Sequence, residues 1–204
     1  MGDGPCVYVV DDDAAVRAGL KVLLASAGLK AVLFDSARAF LDAWDPSAPG
    51  CLLLDVRMPG LSGLDLLEQL KGKGMALPVI MLTGHGDVPM AVRALKHGAL
   101  DFLQKPFNDQ ALLDRVQQAL AQDAGKRREA EGAGEARERA SRLTQREREV
   151  MDGIVAGKAN KVVAAELGIS ERTVELHRAR VMQKMGVRSL AALVQAALLL
   201  KPGS

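Results

Sequence analysis

The run Cys51-Leu52-Leu53-Leu54-Asp55-Val56-Arg57-Met58-Pro59-Gly60 restricts the fold more than any other stretch of the 204 residues. Four residues suited to burial lead straight into an acid, and a Pro-Gly turn follows. So short an apolar run, closed by turn residues, predicts a central strand of a parallel sheet. Asp55 then stands at the strand's carboxyl end, where open α/β sheets place their ligand crevice. Val7-Tyr8-Val9-Val10 leading into Asp11-Asp12-Asp13 repeats the pattern. If the two strands are neighbours, three or four carboxylates converge at one mouth. Carboxylates crowded within a few ångströms cannot all stay ionised without a cation. A hard, oxygen-seeking ion such as Mg²⁺ suits them.

Strand and helix alternate through the first 120 residues. Strands are expected over 6–10, 31–34, 51–54, 78–82 and 101–104. Helices are expected over 14–27, after a Ser36 cap, over 64–70, from an Asp87 cap to His97-Gly98, and from an Asn108 cap to about 122. Five such pairs make a doubly wound parallel sheet. Its common order, 2-1-3-4-5, puts the switch point between strands one and three, the two that end in acids. Thr83 and Lys105 sit at the ends of strands four and five. Transfer of a phosphoryl group to Asp55 needs a nucleophilic carboxylate, a divalent cation and fixed donors for the remaining oxygens. The acids, Thr83 and Lys105 supply all three.

Charge divides the chain. Residues 1–124 hold 11 basic and 15 acidic side chains, whereas residues 125–204 hold 16 and 10. An acidic first part and a basic second part predict two modules with different partners, the basic one suited to a polyanion. Aromatic residues make up only 3%, so Leu, Val and Ala must fill the core. There is no apolar run of 18 residues and no charged-then-apolar leader, which argues against a membrane span or a secretory signal. Cys6 and Cys51 begin two strands and read as buried thiols of a cytoplasmic protein. His85, His97 and His177 are scattered, so no zinc site is expected.

Residues 123–141 have no apolar side chain larger than Ala and read as a charged linker between a domain over 1–122 and a second over 142–204. Their Ala, Glu and Arg favour partial helix, interrupted by three glycines; a continuous extension of the preceding helix stays open. Beyond Leu143 the chain is helical in short pieces. Thr144-Gln145-Arg146-Glu147 is a capping box, Asn160 can cap a second helix, and Ser170 can cap a third that runs to about Met185. Gly168-Ile169-Ser170 between the second and third helices fits a helix-turn-helix. Val174, His177, Val181 and Met185 share the inward face of the third helix. Arg172, Glu175, Leu176, Ala179 and Gln183 share the outward one, flanked by Arg178 and Arg180. Such a helix fits the DNA major groove.

The set Asp11-Asp12, Asp55, Thr83 and Lys105-Pro106 resembles the receiver domain of two-component response regulators. The resemblance implies that Asp55 accepts a phosphoryl group from a sensor histidine kinase. It implies that Asp12, Asp55 and the Arg57 carbonyl bind Mg²⁺, with Asp11 acting largely through water. By the same likeness Thr83 and Lys105 hold the phosphoryl oxygens, Phe102 is the switch aromatic, and the Lys105–Pro106 bond is cis. From Leu143 to Leu200 the chain resembles the DNA-binding domain of LuxR/NarL-type regulators, and as a whole the FixJ group. Gly84-His85-Gly86-Asp87-Val88-Pro89, Lys105-Pro106-Phe107, Ser170-Glu171-Arg172-Thr173-Val174-Glu175 and His177-Arg178-Ala179 carry that likeness. It implies double-stranded operator DNA met by Lys161, Arg172, Thr173, Glu175, Leu176, Arg178, Ala179, Arg180 and Lys184, a phosphorylation-dependent homodimer, and RNA polymerase as a further partner. An aspartyl-phosphate phosphatase would carry a second Asp two residues after the nucleophile, where this chain has Arg57. A basic module that binds RNA or protein instead of DNA stays open.

Overall fold

The computed structural model describes residues 4–74, 76–84 and 88–200. The expected Asp87 cap, together with His85 and Gly86, lies outside them. The chain divides into two units between Lys126 and Arg127.

The first unit holds five strands, β1 (Cys6–Val10), β2 (Lys30–Phe34), β3 (Gly50–Asp55), β4 (Val79–Thr83) and β5 (Asp101–Gln104). All pair in parallel, in the order β2-β1-β3-β4-β5, which agrees with the expectation. Between them run α1 (Ala14–Ser26), α2 (Ala37–Ala43), α3 (Gly63–Gly72) and α4 (Val88–Lys96). Every residue of β3 is buried. Its Leu52 and Leu54 face one core with Tyr8, Val10, Phe40 and Met81, while Cys51 and Leu53 face the other with Val7, Val9, Leu24 and Ile80. A strand covered on both faces has no solvent side, which is why its sequence is unbroken apolar rather than alternating. Cys6 and Cys51 are free thiols, and burial together with the Asp123 charge pushes Cys51 up to about 12.

Two glycines let backbones meet where a side chain would not fit. A Cβ on Gly50, at the start of β3, would lie 2.1 Å from the Cys6 carbonyl oxygen. The Gly50 N–H donates to the Asp123 carboxylate at 3.0 Å. A Cβ on Gly63 would lie 2.0 Å from the Asp55 carbonyl oxygen. Gly63 instead donates its N–H to the Val56 carbonyl at 3.1 Å, so α3 begins against the backbone just past Asp55. Ser62 and Asp65 close that helix start as a reciprocal capping box.

The expected linker is helix. α5 (Asp109–Ser141) runs unbroken for 33 residues, Gly125, Gly132 and Gly134 included. Each glycine costs about 1 kcal/mol of helix propensity relative to alanine. Packing offsets this where propensity could not. Ala136 and Ala140 are buried, Ala140 in the core of the second unit. Arg139 pairs with Glu135 at 2.9 Å, and Arg142 with Glu138 at 2.5 Å, one helical turn apart. Asp123, also placed in the linker by composition, is buried in the first unit.

The second unit adds α6 (Gln145–Val155), α7 (Asn160–Leu167), α8 (Glu171–Met185) and α9 (Leu190–Leu200) around Val150, Ile154, Val163, Val174, Val181, Met185 and Leu193. Gly168, at φ 66°, turns the chain from α7 into α8. Ser170 caps α8 through the Thr173 N–H, as expected. Ala159, not Asn160, stands at the α7 N-cap, and Asn160 accepts a hydrogen bond from Arg178 at 3.4 Å instead. Among the described residues no helix is long and apolar enough to cross a membrane.

Candidate functional site

Pairing of β1 with β3 sets Val10 beside Leu54, so Asp11 and Asp55 leave the sheet side by side. Both carboxylates are buried, Asp11 at 1% exposure and Asp55 at 7%. The Lys105 ammonium reaches both, at 2.6 Å from Asp11 Oδ2 and 2.5 Å from Asp55 Oδ1. The remaining oxygens accept backbone amides: Asp11 Oδ1 from Asp13 at 2.9 Å, and Asp55 Oδ2 from Arg57 at 2.7 Å. Lys105 is placed by β5, which ends as the Lys105 N–H donates to the Thr83 carbonyl at 2.7 Å. The Lys105–Pro106 bond is cis, as the resemblance implied. Thr83 is buried at the end of β4, and Phe102 is half-buried against the core shared with Met81 and Ala94.

Two acids share one ammonium, and their electrostatics follow from that. Burial pushes the Asp55 carboxyl above its ordinary value. The Lys105 hydrogen bond and charge pull against this, the Asp11 charge adds to it, and the Arg57 amide opposes it. Burial alone would lower Lys105, but hydrogen bonds to Asp11 and Asp55, with their charges, outweigh it and hold the ammonium above its usual range. The two directions agree: the lysine has two acids, while each acid has a share of one lysine.

The convergence of three or four carboxylates is only partly met. Asp13 caps α1, its Oδ1 accepting the Ala15 N–H at 2.7 Å and the Val16 N–H at 3.4 Å. Asp12 is exposed. Among the described residues no three acidic, His or Cys side chains form a group that could hold a metal by themselves. The chain turns into helix at once after β1, and that turn consumes one of the three acids. A divalent cation nevertheless fits the donors. Asp11, Asp55 and the nearby backbone offer only oxygens, and Lys105 balances one of two negative charges. Mg²⁺ keeps several waters in protein sites rather than demanding a full set of side chains.

Sequence reasoning missed three supports. Arg17 donates to the Asp11 carbonyl at 2.6 Å. Gly63 lies against the Asp55 carbonyl. The Ser62–Asp65 box starts α3 beside the site, and its spacing was readable.

In the second unit, Lys161 on α7 and Arg172, Glu175, Leu176, Ala179 and Arg180 on α8 are exposed. Val174, Val181 and Met185 are fully buried. His177 faces inward as expected, but its Nδ1 is buried without a hydrogen-bond partner among the described residues. Thr173 is half-buried, its hydroxyl 2.8 Å from the Ser170 hydroxyl. Arg178 is half-buried on Asn160. Lys184 is half-buried and paired within the fold. Its ammonium lies 2.6 Å from Oε2 of buried Glu147, across the fold on α6. That oxygen also accepts the Thr144 N–H at 2.8 Å, so Lys184 completes a helix cap. Its hydrogen bond, then the Thr144 amide, hold Glu147 down at about 2, against the burial that would raise it.

Comparison with known proteins places both units. The family described as response regulator receiver domain matches residues 7–117, and bacterial regulatory proteins, luxR family, matches residues 141–197. Transcriptional regulatory protein FixJ of Azorhizobium caulinodans is 51% identical over 193 residues, covering 95% of this chain and 92% of that one. Response regulator protein TodT of Pseudomonas putida is 46% identical over 189 residues, covering 93% and 83%. Among solved structures, response regulator StyR superposes with a TM-score of 0.82 at 48% identity, over 95% of this chain and 98% of that one. Full-length FixJ from B. japonicum superposes at 0.61 with 46% identity, over 97% and 98%.

Proposed function

Because the chain belongs to the two-component response regulators, as a FixJ-like transcriptional regulator with a receiver and a LuxR-type DNA-binding domain and not an enzyme, we propose that Asp55 is its phosphoacceptor. The observation that carries this reading is the pair of buried carboxylates from adjoining strands, held by a single ammonium. An Asp55 oxygen bonds the phosphorus of a phosphohistidine on a cognate sensor histidine kinase. The N–P bond breaks, and its electrons stay on the imidazole. Asp11, Asp12, Asp55 and the Arg57 carbonyl would hold Mg²⁺, which when bound neutralises phosphoryl oxygens. Lys105, already at the Asp55 carboxylate, pairs with the new phosphoryl group, and the Thr83 hydroxyl donates to it.

Phosphorylation adds about −1.5 to −2 charge to a crevice with one ammonium. The Thr83 hydroxyl turns onto that charge, Phe102 moves further inward, and the α4–β5 face becomes a homodimer surface. Shifting such an equilibrium from mostly off to mostly on takes roughly 5.5 kcal/mol, part of it supplied by dimerisation. Two copies of α8 then meet half-sites about one DNA turn apart. Lys161, Arg172, Thr173, Glu175, Leu176, Arg178, Ala179, Arg180 and Lys184 form the DNA-contacting face, Lys184 from its pairing with Glu147. The chain acts in the cytoplasm and meets RNA polymerase at the promoter.

The test treats wild type and Asp55→Asn with a small phosphodonor and Mg²⁺. Wild type takes up acid-labile phosphate, dimerises and gains operator affinity. Equal dimerisation of the two proteins would defeat the switch. Operator affinity should fall steeply with salt, and Arg178→Ala should weaken it.

A further inference from the structure

We propose that Leu176, with Ala179, is a specificity-determining contact that reads the C5-methyl group of a pyrimidine in the major groove, so that each half-site requires a thymine at one position. The inference rests on the DNA-binding reading of α8 and deepens it. Leu176 is 53% exposed. The core of the second unit takes Val174, Val181 and Met185 from the same helix, and each is fully buried. Leu176 is not part of that core. Ala179 follows at i+3, so the two form one apolar spot on the outer face. Arg172 and Arg180 stand one turn to either side of Leu176, at i−4 and i+4, and both are exposed. Lys161 on α7 is exposed as well.

An apolar spot framed by cations is poorly matched to an ordinary protein surface. It is well matched to a duplex groove, where phosphates border the base edges. The C5-methyl group is the one apolar feature the major groove presents, carried by thymine and absent from the other three unmodified bases. A leucine has no donor or acceptor, so it cannot tell bases apart by hydrogen bonding. It can discriminate only by burying that methyl group. Cytosine methylated at C5 offers the same group, and substitution at a single position separates the two sources.

The test uses the full-length chain with phosphodonor and Mg²⁺, on an operator selected from random duplex DNA. Thymines are replaced one at a time by deoxyuridine, which lacks only the methyl group. Wild type should bind about fourfold more weakly at one position per half-site, the effect of about 0.8 kcal/mol for one buried carbon. At that position 5-methylcytosine should bind more tightly than cytosine by a similar factor. Leu176→Ala should bind the thymine and deoxyuridine operators equally there, while Arg178→Ala should weaken both and keep their ratio. Salt-sensitive operator binding that is indifferent to deoxyuridine at every position would overturn this proposal and leave the DNA-binding reading standing. A deoxyuridine penalty that survives in Leu176→Ala would also overturn it. Failure to select or bind any duplex would remove both readings, and would turn the exposed leucine towards a protein partner.

Discussion

Each unit is built around a lysine paired with a buried carboxylate, and the two pairs behave in opposite ways. In the first, Lys105 serves Asp11 and Asp55 together, and burial pushes Asp55 up. In the second, Lys184 serves Glu147 alone, the Thr144 amide assists, and Glu147 is held at about 2. The difference is one of stoichiometry. One acid with one ammonium and an amide is a finished structural joint. Two acids sharing one ammonium carry excess negative charge, which favours a cation beside them. The Lys184–Glu147 pair holds a helix end closed, and the Lys105 cluster leaves a charge uncompensated.

That contrast is open to direct challenge. The largest effect is expected at Lys105, where Lys105→Met leaves two buried carboxylates without their ammonium. The receiver should lose about 2–3 kcal/mol in metal-free buffer, somewhat less than for a fully buried pair because Lys105 is partly exposed. Millimolar Mg²⁺ should recover part of the loss, read as a shift in the receiver's urea midpoint. No recovery with Mg²⁺ would mean that the acids do not form a cation site. Glu147→Gln should follow, costing the DNA-binding unit about 1–2 kcal/mol through its cap and ion pair. Acid titration separates the two units next. Glu147 is held below its usual 4.5, so its contribution is complete above pH 4.5 and is lost as pH falls towards about 2. Glu147→Gln should remove that part of the acid sensitivity of the DNA-binding unit. The smallest effect has the opposite sign. Asp55→Asn should slightly stabilise the metal-free receiver, because it removes a buried charge for which Lys105 offers only a share. A destabilised Asp55→Asn would erase the distinction between the two pairs.

The receiver's strand ends were readable because a buried parallel strand must be apolar until it reaches its ligand, and Asp55 breaks Cys51–Leu54 at that point. Lys105 was readable from its place just after the β5 segment and before Pro106. What stayed hidden were partners distant along the chain. Glu147 announces its cap from Thr144, three residues away, but its lysine lies 37 residues on. From its place at the end of α8, Lys184 therefore read as one more cation for DNA. Asp123 bonds Gly50 across 73 residues and looked like linker charge. The run 123–141 looked unable to bury a core because alanine is a weak hydrophobe. Ala136 and Ala140 show that, on a helix held by its neighbours, a methyl group facing the core is enough.

The Gly50–Asp123 bond limits how news of phosphorylation can travel. β3 is held at its base by a carboxylate from α5 and hemmed in by the Cys6 carbonyl, so it is an anchored post rather than a piston. Extra charge at its tip cannot drive it lengthwise through the sheet. On the proposed phosphorylation of Asp55, the base of β3 stays put and the rearrangement falls at the open end of the sheet, around Thr83 and Lys105.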